Sequence, residues 1–407
     1  METPSWRTVE FFREIIDMEL PSQDVHVKLI HIGEANSEAA GYMSLIHRVT
    51  LDVEVGPSRE SKLLSYIVKE KSGETFGGIL VDMLSVFSKE REVYEHLLPE
   101  FERFWRTGGG GVRFGPRMFK ATDGQETVIV MEDLNRSHFR MSTRRFGLPM
   151  GDVKGILSKL AKFHAASVLY REAGGCFSHR MAHGVIAENT IEAIGRHYEV
   201  LYSAFVKSLQ ERELPPQYLV PLKQIEGRLL KECCRVLHFD AAHLNVLNHG
   251  DLWPNNIMFG NDDLLFLDFQ TAFYGCFAAD ILYFFITSAT EIVCDELMEL
   301  LRHYHQELVD SLQLLSYSKP IPSYDELFKQ VQMHGVLILP PLSEAVAITM
   351  AGLTEPSDME KLTSDRPEGV TLRKQVYDNP SFVALVDRLI PKLFAMGLFS
   401  NLTERSG

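Results

Sequence analysis

The sequence is short of cysteine, of basic charge and of long apolar runs, and each shortage closes off a class of protein. Five cysteines, at 176, 233, 234, 276 and 294, stand among 407 residues. Their number is odd and no two have the spacing of a metal-ligand pair. Cys233 and Cys234 are adjacent in a stretch of helical periodicity and point to different faces, so the cysteines read as reduced thiols packed like small apolar side chains. Lysine and arginine (41) are outnumbered by aspartate and glutamate (55), for a formal net charge of -14. That balance argues against a nucleic-acid or anionic-membrane surface, either of which needs a basic footprint. No apolar run approaches the length that spans a bilayer. The start, Met1-Glu2-Thr3-Pro4-Ser5-Trp6, has no basic region followed by an apolar one. The expectation is a cytosolic monomer with no nucleic-acid partner and no membrane insertion. Internal repeats and low-complexity tracts are also absent.

What is there is an ordinary globular composition, 45% hydrophobic and 24% charged, in a chain long enough for two lobes. One stretch organises the rest: Asn248-His249-Gly250-Asp251-Leu252-Trp253-Pro254-Asn255-Asn256-Ile257-Met258-Phe259, then a turn, then Leu264-Leu265-Phe266-Leu267-Asp268-Phe269-Gln270. A loop carboxylate at 251 is followed five residues later by a carboxamide, and a second carboxylate follows an apolar strand. Phosphoryl transfer needs this set. One Asp orients and deprotonates the acceptor hydroxyl, and an Asn and another Asp hold the Mg²⁺ that bridges the nucleotide phosphates. Protein kinases write it H-R-D-x-x-x-x-N and D-F-G; here it is H-G-D-x-x-x-x-N and D-F-Q.

With Gly in place of that Arg, the pattern resembles the small-molecule kinases that include choline kinases and aminoglycoside phosphotransferases. The fuller string, His-Gly-Asp-Leu-Trp with Asn-Asn-Ile-Met-Phe, Leu-Asp-Phe-Gln and Ala279-Asp280-Ile281-Leu282-Tyr283-Phe284, is similar to the ecdysteroid-kinase-like (CHK-type) family. The resemblance implies a bilobal, protein-kinase-like α+β fold: an N-terminal lobe over 1–134 built on an antiparallel sheet, and a helical C-terminal lobe over 135–407.

Taken in order, residues 6–20 read as a helix ended by Pro21, with Phe11, Ile15 and Met18 at helical spacing. Two β-like runs follow, Leu45 to Val55 and Lys62 to Lys69. The first places Val49, Leu51, Val53 and Val55 on one face. The stretch Gly33 to Ser44 stands where a kinase carries its phosphate-covering loop. It lacks G-x-G-x-x-G and reads equally as a turn; Ser44 matches a serine of the family. Lys69 is either a solvated residue at a strand end or the lysine that contacts nucleotide phosphates. The family's F-x-x-E-x-x-x-Y, present as Phe87 to Tyr94, favours the second and makes Glu90 its partner.

Gly108 to Gly111 falls between that helix and the next strand pair and reads as a flexible connector. The pair, Arg117 to Ala121 and Glu126 to Met131, is turned by Asp123-Gly124. It leads to Glu132-Asp133-Leu134, where the resemblance places the hinge whose backbone meets the adenine edge. Helices are expected over Val153 to Tyr170, 190–209, 222–237, Glu291 to Leu314 and Phe382 to Leu398, interrupted by Leu339-Pro340-Pro341-Leu342. His164 reads as a brace for the catalytic loop, and Asp280 as the carboxylate that anchors its backbone.

The expected activity is transfer of the γ-phosphoryl of ATP, with Mg²⁺, to a hydroxyl of a small molecule. Asp251 is the base, Asn256 and Asp268 are the metal ligands, and Lys69 with Glu90 is the phosphate clamp. The resemblance points to an ecdysteroid or another steroid or xenobiotic alcohol. The aromatic-rich segment Phe269, Phe273, Tyr274, Phe277, Tyr283 and Phe284 supplies either apolar cleft walls or core. A choline- or aminoglycoside-type kinase shares the chemistry but needs an acidic pocket. A non-catalytic binding protein on the same fold predicts losses among Lys69, Asp251, Asn256 and Asp268, and none is lost.

Overall fold

The computed structural model describes residues 5–21, 24–35, 44–71, 83–124, 127–142, 147–353 and 356–403. The chain divides into two compact units. The first comprises Met1–Pro99, Arg113–Met141 and Met258–Gln270; the second comprises Glu100–Val112, Ser142–Ile257 and Thr271–Gly407. The chain thus passes between them several times, where the sequence suggested a single boundary after residue 134.

The first unit is built on strands β1 (Val25–Glu34), β2 (Ser44–Val55), β3 (Glu60–Lys71), β4 (Met118–Thr122) and β5 (Val128–Glu132). They run antiparallel in the order β1-β2-β3-β5-β4. Two-residue alternation decides the faces: Val49, Leu51, Val53 and Val55 are buried together, as the sequence predicts. Gly124 turns β4 into β5 with φ +103, a conformation open to glycine.

Helix Val9–Glu19 covers the buried face. Its first turn is capped by Thr8, whose side-chain oxygen accepts from the Phe11 N–H. The face it buries is Phe12, Ile15 and Ile16 rather than Phe11, Ile15 and Met18, and Met18 is 43% exposed. Positions 12, 15 and 16 form a tighter i, i+3, i+4 stripe, and the Phe12 ring stacks on Tyr66 at 5.6 Å. Phe11 sits at the margin under the Lys120 ammonium. Beyond the sheet, Val86–Glu92 is helical and runs through a π turn, Val93–Leu97, into helix Leu98–Thr107.

The glycine run 108–111 is a helix stop and not a loose connector. Gly109 takes φ +89, and the Gly110 N–H closes back on the Trp105 carbonyl at 2.9 Å, the bond pattern that ends a helix on a left-handed residue.

In the second unit, helix Met150–Glu172 packs along helix Thr290–Leu314 and against a two-stranded ribbon, Asn245–Asn248 antiparallel to Phe273–Cys276. Ile156, Leu157, Leu160, Phe163 and Ser167 form the buried stripe expected of the first helix, and the Ser167 hydroxyl accepts from the Leu247 N–H of the ribbon at 2.9 Å. The single helix expected over 222–237 is two, Pro216–Gln224 and Leu229–Leu237. Gly227 separates them at φ +69. The stretch around Pro340-Pro341 is itself helical, a 3₁₀ turn followed by a short α segment and a π turn, Leu342–Val346. Prolines are tolerated there because they occupy the first helical turn. Cys233 and Cys276 are buried and unbridged, and burial pushes the Cys276 thiol up to about 12. Among the described residues no single helix is long and apolar enough to cross a membrane.

Candidate active site

In the first unit three charged residues from distant parts of the sequence converge. Lys69 leaves β3 near its end, and its ammonium lies 2.7 Å from Glu90 Oε2 and 2.6 Å from Asp268 Oδ1. Lys69 and Glu90 are almost fully buried, while Asp268 keeps about a quarter of its side chain exposed. Burial alone would strip the proton from Lys69, but the facing Asp268 and Glu90 outweigh it and raise its pKa. Burial drives Glu90 the other way, up to about 7 against the pull of Lys69. One cation thus serves two carboxylates, and Glu90 Oε1 is buried without a hydrogen-bond partner.

Asp268 itself is held in a left-handed backbone conformation, φ +63. Asp tolerates that region better than most residues, at a cost of roughly 1–3 kcal/mol. Its N–H donates to the Tyr94 hydroxyl at 3.2 Å, and the Tyr94 ring meets Phe269 edge-on at 5.4 Å. Tyr94 follows Glu90 by four residues, one turn along. The Phe87–Tyr94 motif therefore carries both the partner of Lys69 and a brace for Asp268, the second of which the sequence alone did not reveal.

Within the second unit the catalytic loop is fixed by its backbone. The Asp280 carboxylate, buried, accepts from the N–H groups of His249 at 2.6 Å and Gly250 at 2.8 Å. Oδ2 of Asp280 also meets His164 Nε2 at 3.2 Å, and His164 Nδ1 meets the Tyr304 hydroxyl at 2.7 Å. His164 and Asp280 are thus braces, as expected. Gly250 takes φ +82, and a Cβ there would lie 2.4 Å from the Thr271 carbonyl oxygen. This explains why the H-x-D motif has glycine in the middle: this loop has no room for a side chain.

Both oxygens of Asp251 are occupied. Tyr283 donates its hydroxyl to Oδ1 at 2.6 Å, and the Asn256 carboxamide nitrogen donates to Oδ2 at 3.0 Å and to the Asp251 carbonyl at 2.8 Å. Burial and the Asp251 charge raise the Tyr283 pKa well above its usual value, so Tyr283 stays a proton donor. With its nitrogen turned to Asp251, Asn256 leaves its oxygen as the atom able to coordinate. Oxygen donors are what Mg²⁺ takes; the carboxamide oxygen of Asn256 in the second unit and the carboxylate of Asp268 in the first are each of that type.

A further ionisable group stands near Tyr283. Its helix, Ala278–Ser288, packs against the π turn that carries Glu344. Glu344 bonds both the His197 ring and the Tyr198 hydroxyl. Burial alone would lower the His197 pKa, but the hydrogen bond and charge of Glu344 more than offset it and raise it. Nothing in the sequence marks these residues, because they meet only through helix packing.

Other expected residues turn out as follows. Ser44 opens β2, nearly fully buried and paired with Lys71; residues 36–43 of the loop before it lie outside the described residues. Glu132 ends β5 with its N–H on the Arg117 carbonyl and its carboxylate on the Arg113 guanidinium. Leu134 is packed with Met258 and Leu265 in a small core. Phe269, Phe273, Phe277 and Phe284 are buried core, and Tyr274 packs on Phe177 and Phe239. Of the six aromatics considered as cleft walls, Tyr283 is the one whose hydroxyl reaches a proposed catalytic residue.

The sequence model of the ecdysteroid kinase-like family matches residues 38–317, well over half of the chain. No curated protein matches significantly. Among solved structures, a choline kinase from Cryptosporidium parvum Iowa II aligns over 98% of this chain and 99% of its own, with TM-score 0.48 and 10% identity. Macrolide 2'-phosphotransferase MphH from Brachybacterium faecium aligns over 86% and 99%, with TM-score 0.35 and 13% identity.

Proposed function

The chain belongs to the ecdysteroid kinase-like family of small-molecule kinases, and from that premise we propose that it moves the γ-phosphoryl group of Mg²⁺-bound ATP onto a hydroxyl of a steroid-like or other largely apolar alcohol. The observation that carries the chemistry is the pair of hydrogen bonds that fixes Asp251, one from Tyr283 and one from Asn256. A general base must be held in one orientation while it receives a proton, and these two donors do that. In this reading Lys69, kept charged and anchored by Glu90, neutralises the nucleotide phosphates, while Asn256 and Asp268 hold Mg²⁺, which supplies charge compensation at the transferred group. Ser44 and the backbone at Glu132 and Leu134 contribute to nucleotide binding.

For the acceptor, the support is family membership. The buried phenylalanines give no added support for an apolar cleft. A cationic acceptor such as choline wants uncompensated carboxylates, and Glu344 already bonds the Tyr198 hydroxyl and the His197 ring. The test is a transfer assay with labelled ATP and Mg²⁺ against ecdysteroids, other steroid alcohols, choline and an aminoglycoside. The expected product is a phosphorylated apolar alcohol. Transfer to choline or aminoglycoside alone would overturn the acceptor assignment, and no transfer to any hydroxyl would overturn the reaction.

A further inference from the structure

The ribbon that delivers the catalytic loop has two ends. At one, Asn248 pairs with Phe273; at the other, Asn245 pairs with Cys276. Around this second end Cys276 meets His243, which precedes the strand, and His334, which caps helix Tyr324–Met333. One ligand atom from each of the three lies within 4.8 Å of the other two. No other such group of histidine, cysteine and carboxylate side chains occurs among the described residues. The sequence gives no hint of it, since the three residues are 33 and 58 positions apart and no short motif joins them.

Two features set this cluster apart from ordinary core packing. The first is the state of His334, which is almost fully buried. It bonds the Gln330 carbonyl through Nδ1 at 2.7 Å, which fixes the proton on Nδ1 and leaves the lone pair on Nε2. That Nε2 is buried with no hydrogen-bond partner; the Val236 carbonyl faces the ring without completing a bond. An imidazole that donates one N–H to a backbone carbonyl and keeps the other nitrogen free has the arrangement of a metal-bound histidine, whereas an orphaned buried nitrogen otherwise costs free energy.

The second feature is the thiol. Cys276 Sγ is buried among polar atoms, 3.8 Å from Gln330 Oε1 and 3.9 Å from His334 Nδ1, the nitrogen bonded to Gln330, so ligation through Nε2 requires the His334 ring to turn. His243, with 13% of its side chain exposed, has its Nε2 3.7 Å from the Asp240 carboxylate, the kind of outer partner that orients a ligating ring.

We propose that His243, Cys276 and His334 bind a zinc ion that ties the base of the catalytic ribbon to the end of helix Tyr324–Met333. One thiolate and two imidazoles are a donor set that zinc takes, and Mg²⁺, which prefers oxygen, does not compete for it. Ligand atoms around tetrahedral zinc stand about 3.3–3.6 Å apart, given bonds of about 2.0–2.3 Å. His243, the least buried member, and a turn of the His334 ring make the closing movement, and the fourth position falls to water entering beside His243. The ion would be structural, and the proposal stands independently of the phosphotransferase reading.

The test uses the full chain stripped with a chelator and titrated with Co²⁺ and Zn²⁺. One Co²⁺ per chain should give the thiolate-to-cobalt charge-transfer band of a tetrahedral site, and zinc should displace it and raise the melting temperature. Cys276→Ser should lose the charge-transfer band. His243→Ala, at the least buried of the three positions, should keep the far-UV circular dichroism of the unaltered chain and weaken zinc binding at least tenfold. Absence of the band in the unaltered chain, its persistence in Cys276→Ser, or unchanged zinc affinity in His243→Ala would each overturn the proposal.

Discussion

The two units hold their reactive carboxylates by opposite means. Asp268 in the first is gripped by charge, through a buried lysine that Glu90 anchors, on a left-handed backbone. Asp251 in the second is gripped by neutral donors, Tyr283 and Asn256, on a loop tied to Asp280 through backbone N–H groups. Each device suits the role proposed for its residue. A metal ligand facing polyphosphate gains from a nearby cation, and a general base gains from donors that orient it without neutralising it by a full positive charge. The comparison also assigns different vulnerabilities. Breaking a buried ion pair strands a charge and costs about 3–5 kcal/mol, whereas losing one hydrogen bond to a charged group costs about 1.5–3 kcal/mol.

The largest effect should come from the base. Asp251→Asn keeps the shape and the loop but cannot accept the acceptor's proton, so kcat should fall by about a hundred- to ten-thousand-fold. Steady-state kinetics on the purified variant measure it, and near-normal kcat would remove Asp251 from the mechanism. Next is Tyr283→Phe, which leaves Oδ1 of Asp251 without its donor. Taking the hydrogen-bond range above, kcat should drop roughly ten- to a hundredfold with KM for ATP unchanged. An equal rise in KM for ATP would make Tyr283 a nucleotide-site residue instead.

A smaller effect concerns folding. Gly250→Ala forces a Cβ against the Thr271 carbonyl at φ +82 and should cost on the order of 1–3 kcal/mol, read from denaturant midpoints. Unchanged stability would mean that the loop can shift.

The smallest is a pH effect on the ion-pair side. Glu90 is raised from an ordinary glutamate value to about 7 in the folded chain. It takes up a proton on folding, so its contribution to stability is present below the unfolded value and lost as pH rises through about 7. Lys69, also raised, contributes below its unfolded value and loses that contribution only at strongly alkaline pH. Compared with wild type, Glu90→Gln should therefore show a flatter stability profile between about pH 4.5 and 7. Parallel profiles would show that Glu90 does not titrate in that window.

How much was legible beforehand follows the same division. The Asp251–Asn256 contact could be read from spacing along the chain, and the Lys69–Glu90 pairing from the resemblance of Phe87 to Tyr94 to a family motif. The alternation of Val49 to Val55 fixed the buried face of β2, and Asp123-Gly124 marked a real turn. The helix face was misjudged because two stripes of the first helix are apolar, and only the sheet decides which is covered. The broken helix at Gly227 was missed because a single left-handed glycine outweighs a continuous apolar period. Tyr283, Tyr94, Glu344 and the His243, Cys276 and His334 cluster were out of reach for another reason. Their partners are far away in sequence, and only packing brings them together.

The proposed division of labour gives nucleotide and metal binding to Lys69, Glu90, Asn256 and Asp268 and proton abstraction to Asp251. Calorimetric titration of Mg²⁺-ATP into Asp268→Ala and Asp251→Asn tests that separation directly. Asp268→Ala should lose Mg²⁺-dependent binding, because the phosphates keep no carboxylate-held metal, while Asp251→Asn should bind with nearly wild-type affinity. Unchanged Mg²⁺-ATP affinity in Asp268→Ala, or an equal loss in both variants, would contradict it.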